Sequence, residues 1–138
     1  MSIRVAEEID AAAVVALWRS CELVVNYNDP SSDFREAVSG PCSDVLLNEN
    51  ERGQLDGTVM VGYDGHRGWL YYVGVAPHAQ GRGIGRKMVE AAEQWLRDRG
   101  VAKAQLLVRE TNTGVVRFYE HLGFEAAPRI VMGKWLRQ

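Results

Sequence analysis

The 138-residue sequence is poor in the residues that build metal centres and disulfide frameworks. It contains two cysteines and three histidines. Cys21 and Cys42 are spaced neither as a metal-ligand pair nor as a CxxC redox motif, and the histidines show no metal-ligand spacing. A chain of this size needs no disulfide staple. The sequence therefore predicts no metal site and a reducing, cytoplasmic setting.

An excess of one charge and long apolar runs are also lacking. The formal net charge is -2, which gives no general attraction to nucleic acid or to anionic membranes. Glu7, Glu8 and Asp10 stand where a signal peptide would need apolar residues, and no run approaches the ~20 apolar residues of a membrane span. We expect neither export, membrane insertion nor a nucleic-acid partner.

Apolar residues recur at helix and strand spacings along the chain. Val14, Leu17, Trp18 and Cys21 mark one face of a helix at residues 11–25, and a second short helix should end near residue 38. Residues 3–5, 44–48, 55–63 and 69–76 have the pattern of strands. A helix at 83–99, a strand at 103–109, a helix at 112–121 and one or two strands at 124–136 follow.

This order predicts one domain over residues 1–138 of the α/β (α+β) class. A mixed, mostly antiparallel sheet with helices on both faces is the simplest way to bury the amphipathic faces. The helix at 83–99 would connect two parallel strands by a right-handed crossover, and ligands bind beyond the carboxyl ends of such strands. Strict alternation along the strand at 69–76 would put Tyr71 and Tyr72 on opposite faces.

Three glycines on alternate positions separate that strand from the helix at 83–99. Gly81, Gly83 and Gly85 let the backbone approach a ligand, and the helix N-terminus offers unpaired N–H groups, which together suit a pyrophosphate. Arg82 and Arg86 add positive charge. A plain strand-to-helix turn needs one glycine at most. The spacing fits neither a P-loop nor GxGxxG, so the segment predicts a different phosphate ligand.

Two segments in register resemble the GNAT superfamily of N-acetyltransferases. Gln80-x-x-Gly83-x-Gly85 is similar to the family's acetyl-CoA signature, Q/R-x-x-G-x-G/A. Asn112, followed by Phe-Tyr-Glu-His-Leu-Gly-Phe at 118–124, is similar to its second motif at the expected distance. The resemblance spans nearly the whole chain. Residues 28–30, 57–60 and 63–68 also resemble the small bacterial YpeA-like group.

The resemblance implies a binding mode for acetyl-CoA between two splayed parallel strands. Backbone groups of Val73 and Val75 would pair with the pantetheine arm, which Asn112 would also contact. The pyrophosphate would be held by backbone amides of a single segment: Gln80, Gly81, Arg82, Gly83, Ile84, Gly85 and Arg86.

The resemblance also bears on assembly. Because association through the last strands is common in the family, a homodimer is one expected assembly.

Tyr119 would stand beside the sulfur in the same resemblance. Attack by an amine on a thioester expels a thiolate that must be stabilised or protonated. A phenol with an ordinary pKa of ~10 is protonated at neutral pH and can donate to that sulfur. Packing is the alternative, because Val115, Phe118 and Leu122 form an apolar helix face next to Tyr119.

The sequence gives less information about the residues that bind and deprotonate the acceptor. The acceptor would be a small-molecule or peptide amine, which must lose a proton before it attacks, and no single base stands out. Asp64 with Gly65 also forms a strong hairpin-turn signal, which explains Asp64 without catalysis. The tentative acceptor-side residues are Glu22, Asn28, Asp29, Asp64, His66 and Tyr71.

Two other function classes are open to the sequence. An acyl-CoA-binding sensor would keep the glycine turn but would have no use for the Tyr119 hydroxyl. A nucleic-acid module could use the basic residues of the helix at 83–99, but Glu90, Glu93 and Asp98 interleave with them, which favours a solvated face of paired charges.

Overall fold

The computed structural model describes residues 2–137, which form two compact units that divide between Leu107 and Val108. The first unit holds a mixed five-stranded sheet in the order β1-β2-β3-β4-β5, in which only β4 and β5 run parallel. The predicted mixed, mostly antiparallel α+β fold is confirmed. That residues 1–138 act as one domain stays a prediction. The strands are β1 (Ser2–Val5), β2 (Ser43–Glu49), β3 (Leu55–Tyr63), β4 (Gly68–Val75) and β5 (Ala104–Gln105).

Helices of the first unit cover both faces of the sheet. They are α1 (Ala11–Ser20), α2 (Pro30–Ser39) and α3 (Ile84–Asp98). Val14, Trp18 and Phe34 of α1 and α2 form a buried cluster with Val45 and Leu47 of β2. On the opposite face, a Cβ added at Gly57 or Gly68 would meet Ile84 or Leu96 of α3. Alternate side chains of the strands therefore pack into two apolar layers, one on each face of the sheet.

Helix α1 ends five residues before the predicted limit. The Leu23 amide donates to the Trp18 carbonyl and Glu22 adopts φ 59, the left-handed geometry that commonly closes a helix and that is usually filled by glycine. Because glutamate gives no such signal in the sequence, the helix was predicted to reach residue 25. Helix α2 begins as expected, with Asp29 accepting from the amides of Ser31 and Ser32.

A bulge in β4 changes which way its side chains face. Met60 pairs with Tyr71 and Thr58 with Gly74, so β4 carries one extra residue opposite β3. Tyr71 stacks on Trp69, and Tyr72 stacks on Trp18 of α1. Both tyrosines thus face the α1 side, and the expectation that they lie on opposite faces was wrong because one inserted residue resets the alternation.

The last predicted strands are shorter than expected or are missing. Of residues 103–109, only Ala104 and Gln105 pair with β4, and residues 125–137 contain no strand within the part of the chain described. The sequence pattern was apolar enough, but a strand also requires a neighbouring backbone to pair with. In the second unit, α4 (Thr113–His121) forms as predicted and ends before Gly123 at φ 95.

No helix within residues 2–137 is both long and apolar enough to cross a bilayer.

Candidate acyl-CoA site

The bulge leaves one edge of β4 open and turns its backbone toward that edge. Gly68 donates to Lys103 on the β5 side at 2.8 Å, whereas Ala76 donates to Asp56 on the β3 side at 2.9 Å. In a regular strand, positions 68 and 76 would face the same side. The extra residue reverses the alternation, so the backbone groups of Val73 and Val75 point away from β3.

The open edge begins where β4 and β5 separate. Their pairing consists of Gly68 with Ala104 and Trp69 with Gln105, and within residues 2–137 it stops there. The rest of β4, up to Val75, therefore has no strand partner on that side within the described residues, although the Val75 carbonyl accepts a hydrogen bond from the Gln80 side chain. A ligand that carries amide groups could pair with this edge as an added strand would.

The carboxyl end of β4 leads directly into the glycine turn. Gly81 and Gly83 adopt φ 83 and φ 78, and a Cβ added at either would meet nothing within 4 Å. Glycine is favoured at both positions because of the positive φ, not because a side chain would clash, and the turn faces open space. Gly83 is the N-cap of α3, and the Lys87 amide is bonded to its carbonyl. The first amides of α3, from Ile84 to Arg86, have no carbonyl inside the helix to bond and are available to an anion.

Side chains around the turn hold it in place or add charge. Gln80 donates from Nε2 to the Val75 carbonyl at 3.4 Å, which links the turn to the end of β4. The Ile84 side chain is buried against the Gly57 position of β3. Arg86 pairs with Glu90 at 3.3 Å on the helix surface, and Arg82 is exposed. The turn thus has a buried anchor and a cationic outer surface.

Tyr119 is a buried phenol in the second unit. Only 8% of it is exposed, and its ring meets the edges of Phe118 and Phe124 at centroid distances of 5.0 and 5.6 Å. This desolvation raises its pKa to about 12. Asn112 precedes α4 and accepts the Val116 amide on its carbonyl. This environment favours the neutral hydroxyl, which can donate a hydrogen bond.

The structure does not gather the acceptor-side candidates into one set. Asp64 accepts from the amides of His66 and Arg67 and from the Trp69 indole, so it closes the hairpin before β4. These donors, the Arg67 amide foremost, lower the pKa of Asp64. Tyr71 lies near Asp64. The pKa of Tyr71 is raised mainly by burial and to a smaller extent by the charge of Asp64. His66 is exposed.

The remaining candidates belong to the segment between α1 and α2. A Cβ added at Gly74 would meet Leu23 at 2.8 Å and Cys21 at 3.1 Å, so this segment packs on the bulged half of β4. Glu22 lies between these two contacts and is exposed. Asn28 and Asp29 follow in the same segment, and Asp29 acts electrostatically on Tyr72. This segment packs on β4 near Gly74, whereas Asp64 and His66 lie just before the start of the strand.

Comparison with known proteins identifies the family. The profile described as the acetyltransferase (GNAT) family matches residues 11–124. The chain belongs to the GNAT family of acetyltransferases. An acetyltransferase of Pectobacterium atrosepticum is 40% identical to it over 136 residues, which cover 99% of this chain and 96% of that protein. The predicted family and the acyltransferase class are thereby confirmed.

Solved structures repeat this GNAT fold at low sequence identity. Glucosamine-6-phosphate N-acetyltransferase from Arabidopsis thaliana superposes with a TM-score of 0.77 at 23% identity, covering 99% of this chain and 98% of that one. AAC(6')-Iy, solved with a bisubstrate analogue that contains CoA, gives a TM-score of 0.82 at 17% identity with 97% coverage of both chains. These likenesses concern the fold.

Two polar groupings of this GNAT chain, one part-buried and one buried, were missed by the sequence reasoning. Tyr72 lies in the β4 bulge at φ 50 and donates to Asp33 of α2 at 2.7 Å. Asn48 and Asp56, both buried, share a hydrogen bond of 2.7 Å, and no partner within the described residues reaches Asn48 Oδ1. No signal in the sequence marks a left-handed tyrosine, because the bulge depends on the pairing of β4 with β3.

Proposed function

We propose that this protein transfers an acetyl group from acetyl-CoA to a primary amine by direct attack in a ternary complex. The observation that carries the proposal is the open edge of β4, which turns Val73 and Val75 outward and leads into the left-handed glycine turn. The amide-bearing pantetheine arm matches that edge, and the pyrophosphate matches the helix N-terminus beyond it. The thioester of the bound acetyl-CoA supplies the activated acyl group.

The residues proposed to bind acetyl-CoA divide by the part of the molecule they meet. Val73 and Val75 offer backbone groups to the pantetheine arm, and Asn112 contacts the same arm. The amides of Gln80, Gly81, Arg82, Gly83, Ile84, Gly85 and Arg86 hold the pyrophosphate. The Arg82 and Arg86 side chains add charge outside the turn, where salt should weaken their effect.

We propose that Tyr119 stabilises the departing thiolate as a hydrogen-bond donor. With its pKa at about 12 and a thiol near ~8.5, full proton transfer to the thiolate would be uphill by ~3.5 units, or roughly 5 kcal/mol. Donation without transfer avoids this cost. Tyr119→Phe should then lower turnover by roughly 10² to 10⁴-fold while acetyl-CoA affinity stays near wild type. Equal loss of affinity and turnover would contradict a catalytic hydroxyl.

The acceptor is proposed to enter beside the segment between α1 and α2. Glu22, Asn28 and Asp29 belong to this segment, which packs on the bulged half of β4 through Cys21 and Leu23, and two carboxylates suit a cationic amine. Asp64, His66 and Tyr71 stay candidates at the other end of the strand. The setting is proposed to be cytoplasmic, with a homodimer as one assembly and with neither nucleic acid nor membrane as a partner.

Titration calorimetry with acetyl-CoA, CoA, NAD and ATP tests the first half of this proposal. Selective binding of the two CoA species is expected, and no CoA binding by folded protein would remove the proposed function. A screen of amines with release of free thiol as the readout tests the second half. Tight acetyl-CoA binding with no thiol release from any amine would instead favour the non-catalytic acyl-CoA sensor.

A further inference from the structure

The bulge that opens β4 is built on an unfavourable residue. The first position of a bulge with positive φ is normally glycine, and a bulky side chain in that conformation is an outlier. Here Tyr72 occupies it at φ 50. Without that extra residue, strict alternation would turn Val73 and Val75 toward β3 instead of the open edge. Some interaction must therefore hold Tyr72 in place.

Two side chains, Trp18 and Asp33, contact Tyr72 directly, and Thr58 holds Trp18 in place. The Tyr72 ring lies flat on the Trp18 indole, with centroids 3.8 Å apart and planes 8° from parallel. Its hydroxyl donates to Asp33 Oδ2 at 2.7 Å, a short bond to a carboxylate and so of the stronger kind. Trp18 is itself fully buried and donates from Nε1 to Thr58 of β3 at 3.0 Å. The ring is thus held at its face and at its hydroxyl.

The position of these contacts relates them to the open edge. Thr58 pairs with Gly74, which lies between Val73 and Val75, so the indole is tied to the strand directly opposite the bulge. Asp33 lies in α2, outside the sheet, and contacts the bulge through the Tyr72 hydroxyl. We propose that Asp33 and Tyr72 are positioning residues, which lock the bulge so that Val73 and Val75 face the acyl-CoA edge.

This proposal takes its ligand, acetyl-CoA, from the proposed function, but the locking of the bulge by Asp33 and Tyr72 does not depend on that function. Tyr72→Phe removes only the hydroxyl and keeps the ring on Trp18. Asp33→Asn keeps the shape of the acceptor but removes its charge. Each should accelerate amide hydrogen exchange at Gly74, which pairs with Thr58, and at Ala76, which donates to Asp56, by on the order of tenfold. Since a hydrogen bond to a charged group corresponds to roughly tenfold to a hundredfold in an equilibrium constant, acetyl-CoA affinity should fall by about tenfold or more.

Two control variants separate positioning from general loss of stability. Tyr63→Phe removes the same atom from a half-buried tyrosine at the end of β3, and it should match wild type in both measurements. Leu96→Ala weakens the core on the opposite, α3 face of the sheet, where buried Leu96 meets Gly68 at the start of β4. It should lower the urea midpoint without lowering acetyl-CoA affinity of the folded protein.

The measurements distinguish failure of this inference from failure of the proposed function. Exchange at Gly74 and Ala76 reports on the register that the bulge sets, even if wild type binds no acetyl-CoA. Faster exchange and weaker acetyl-CoA binding in Tyr72→Phe and Asp33→Asn support the positioning role. Wild-type exchange and affinity in both variants would overturn it, as would an affinity loss in Leu96→Ala as large as that in Tyr72→Phe.

Discussion

A single carboxylate placed in the glycine turn should abolish tight acetyl-CoA binding through its charge. Gly83 has φ 78, and a Cβ there meets nothing within 4 Å, so Gly83→Asp suffers no clash. Asparagine and aspartate both tolerate this backbone region better than other residues. Gly83→Asn is therefore the matched control, because it shares the shape and backbone strain of Gly83→Asp but carries no charge.

The expected magnitude comes from Coulomb's law. A carboxylate about 5 Å from one phosphate charge, at an effective dielectric of about 20, is repelled by about 3 kcal/mol. That energy corresponds to more than a hundredfold in affinity. Gly83→Asn should lose far less, since its open surroundings leave room for the amide.

Titration calorimetry of both variants with acetyl-CoA, at low and at high salt, measures the difference. The gap between Gly83→Asp and Gly83→Asn should narrow at high salt because the turn is solvent-exposed. Gly53→Asp, in a turn of similar φ (76) between β2 and β3, should bind acetyl-CoA as wild type does. Equal affinities of the aspartate and asparagine variants at position 83 would refute the placement of the pyrophosphate.

The remaining predictions concern stability and are tested by urea unfolding. Gly57→Ala would put Cβ 2.7 Å from an Ile84 methyl and should cost about 1–3 kcal/mol by overpacking; a wild-type midpoint would contradict this contact. Burial raises the pKa of Tyr119 to about 12, so stability falls as pH rises from about 10 toward 12, by up to about 3 kcal/mol. Tyr119→Phe should reduce that fall, and an unchanged alkaline slope would argue against the raised pKa. Arg4 holds the pKa of Asp10 below its ordinary value, so this pair stabilises above about pH 4 and is lost as pH falls further. Asp10→Asn should cost about 1 kcal/mol at pH 7 and less at pH 2.5, and an equal cost at both would contradict the ion pair.

Local chemistry determined much of this protein by sequence alone. The helix at 84–98 follows from apolar residues at helical spacing, and the glycine turn before it from Gly81 and Gly83, whose positive φ is a property of the residue type. The start of α2 was readable from Asp29 and Pro30. The family resemblance, confirmed by the profile over residues 11–124, rests on the same segments.

Tertiary pairing decided the rest. The α1 helix ends at a left-handed Glu22, and β4 bulges at a left-handed Tyr72, although neither residue type favours that backbone. Their conformations are imposed by contacts with segments distant in the chain, among them the bond from Tyr72 to Asp33 across 39 positions. The outward turn of Val73 and Val75 follows from that bulge. Periodicity records only which residues are apolar, whereas the register between β3 and β4 fixes which way each backbone group points.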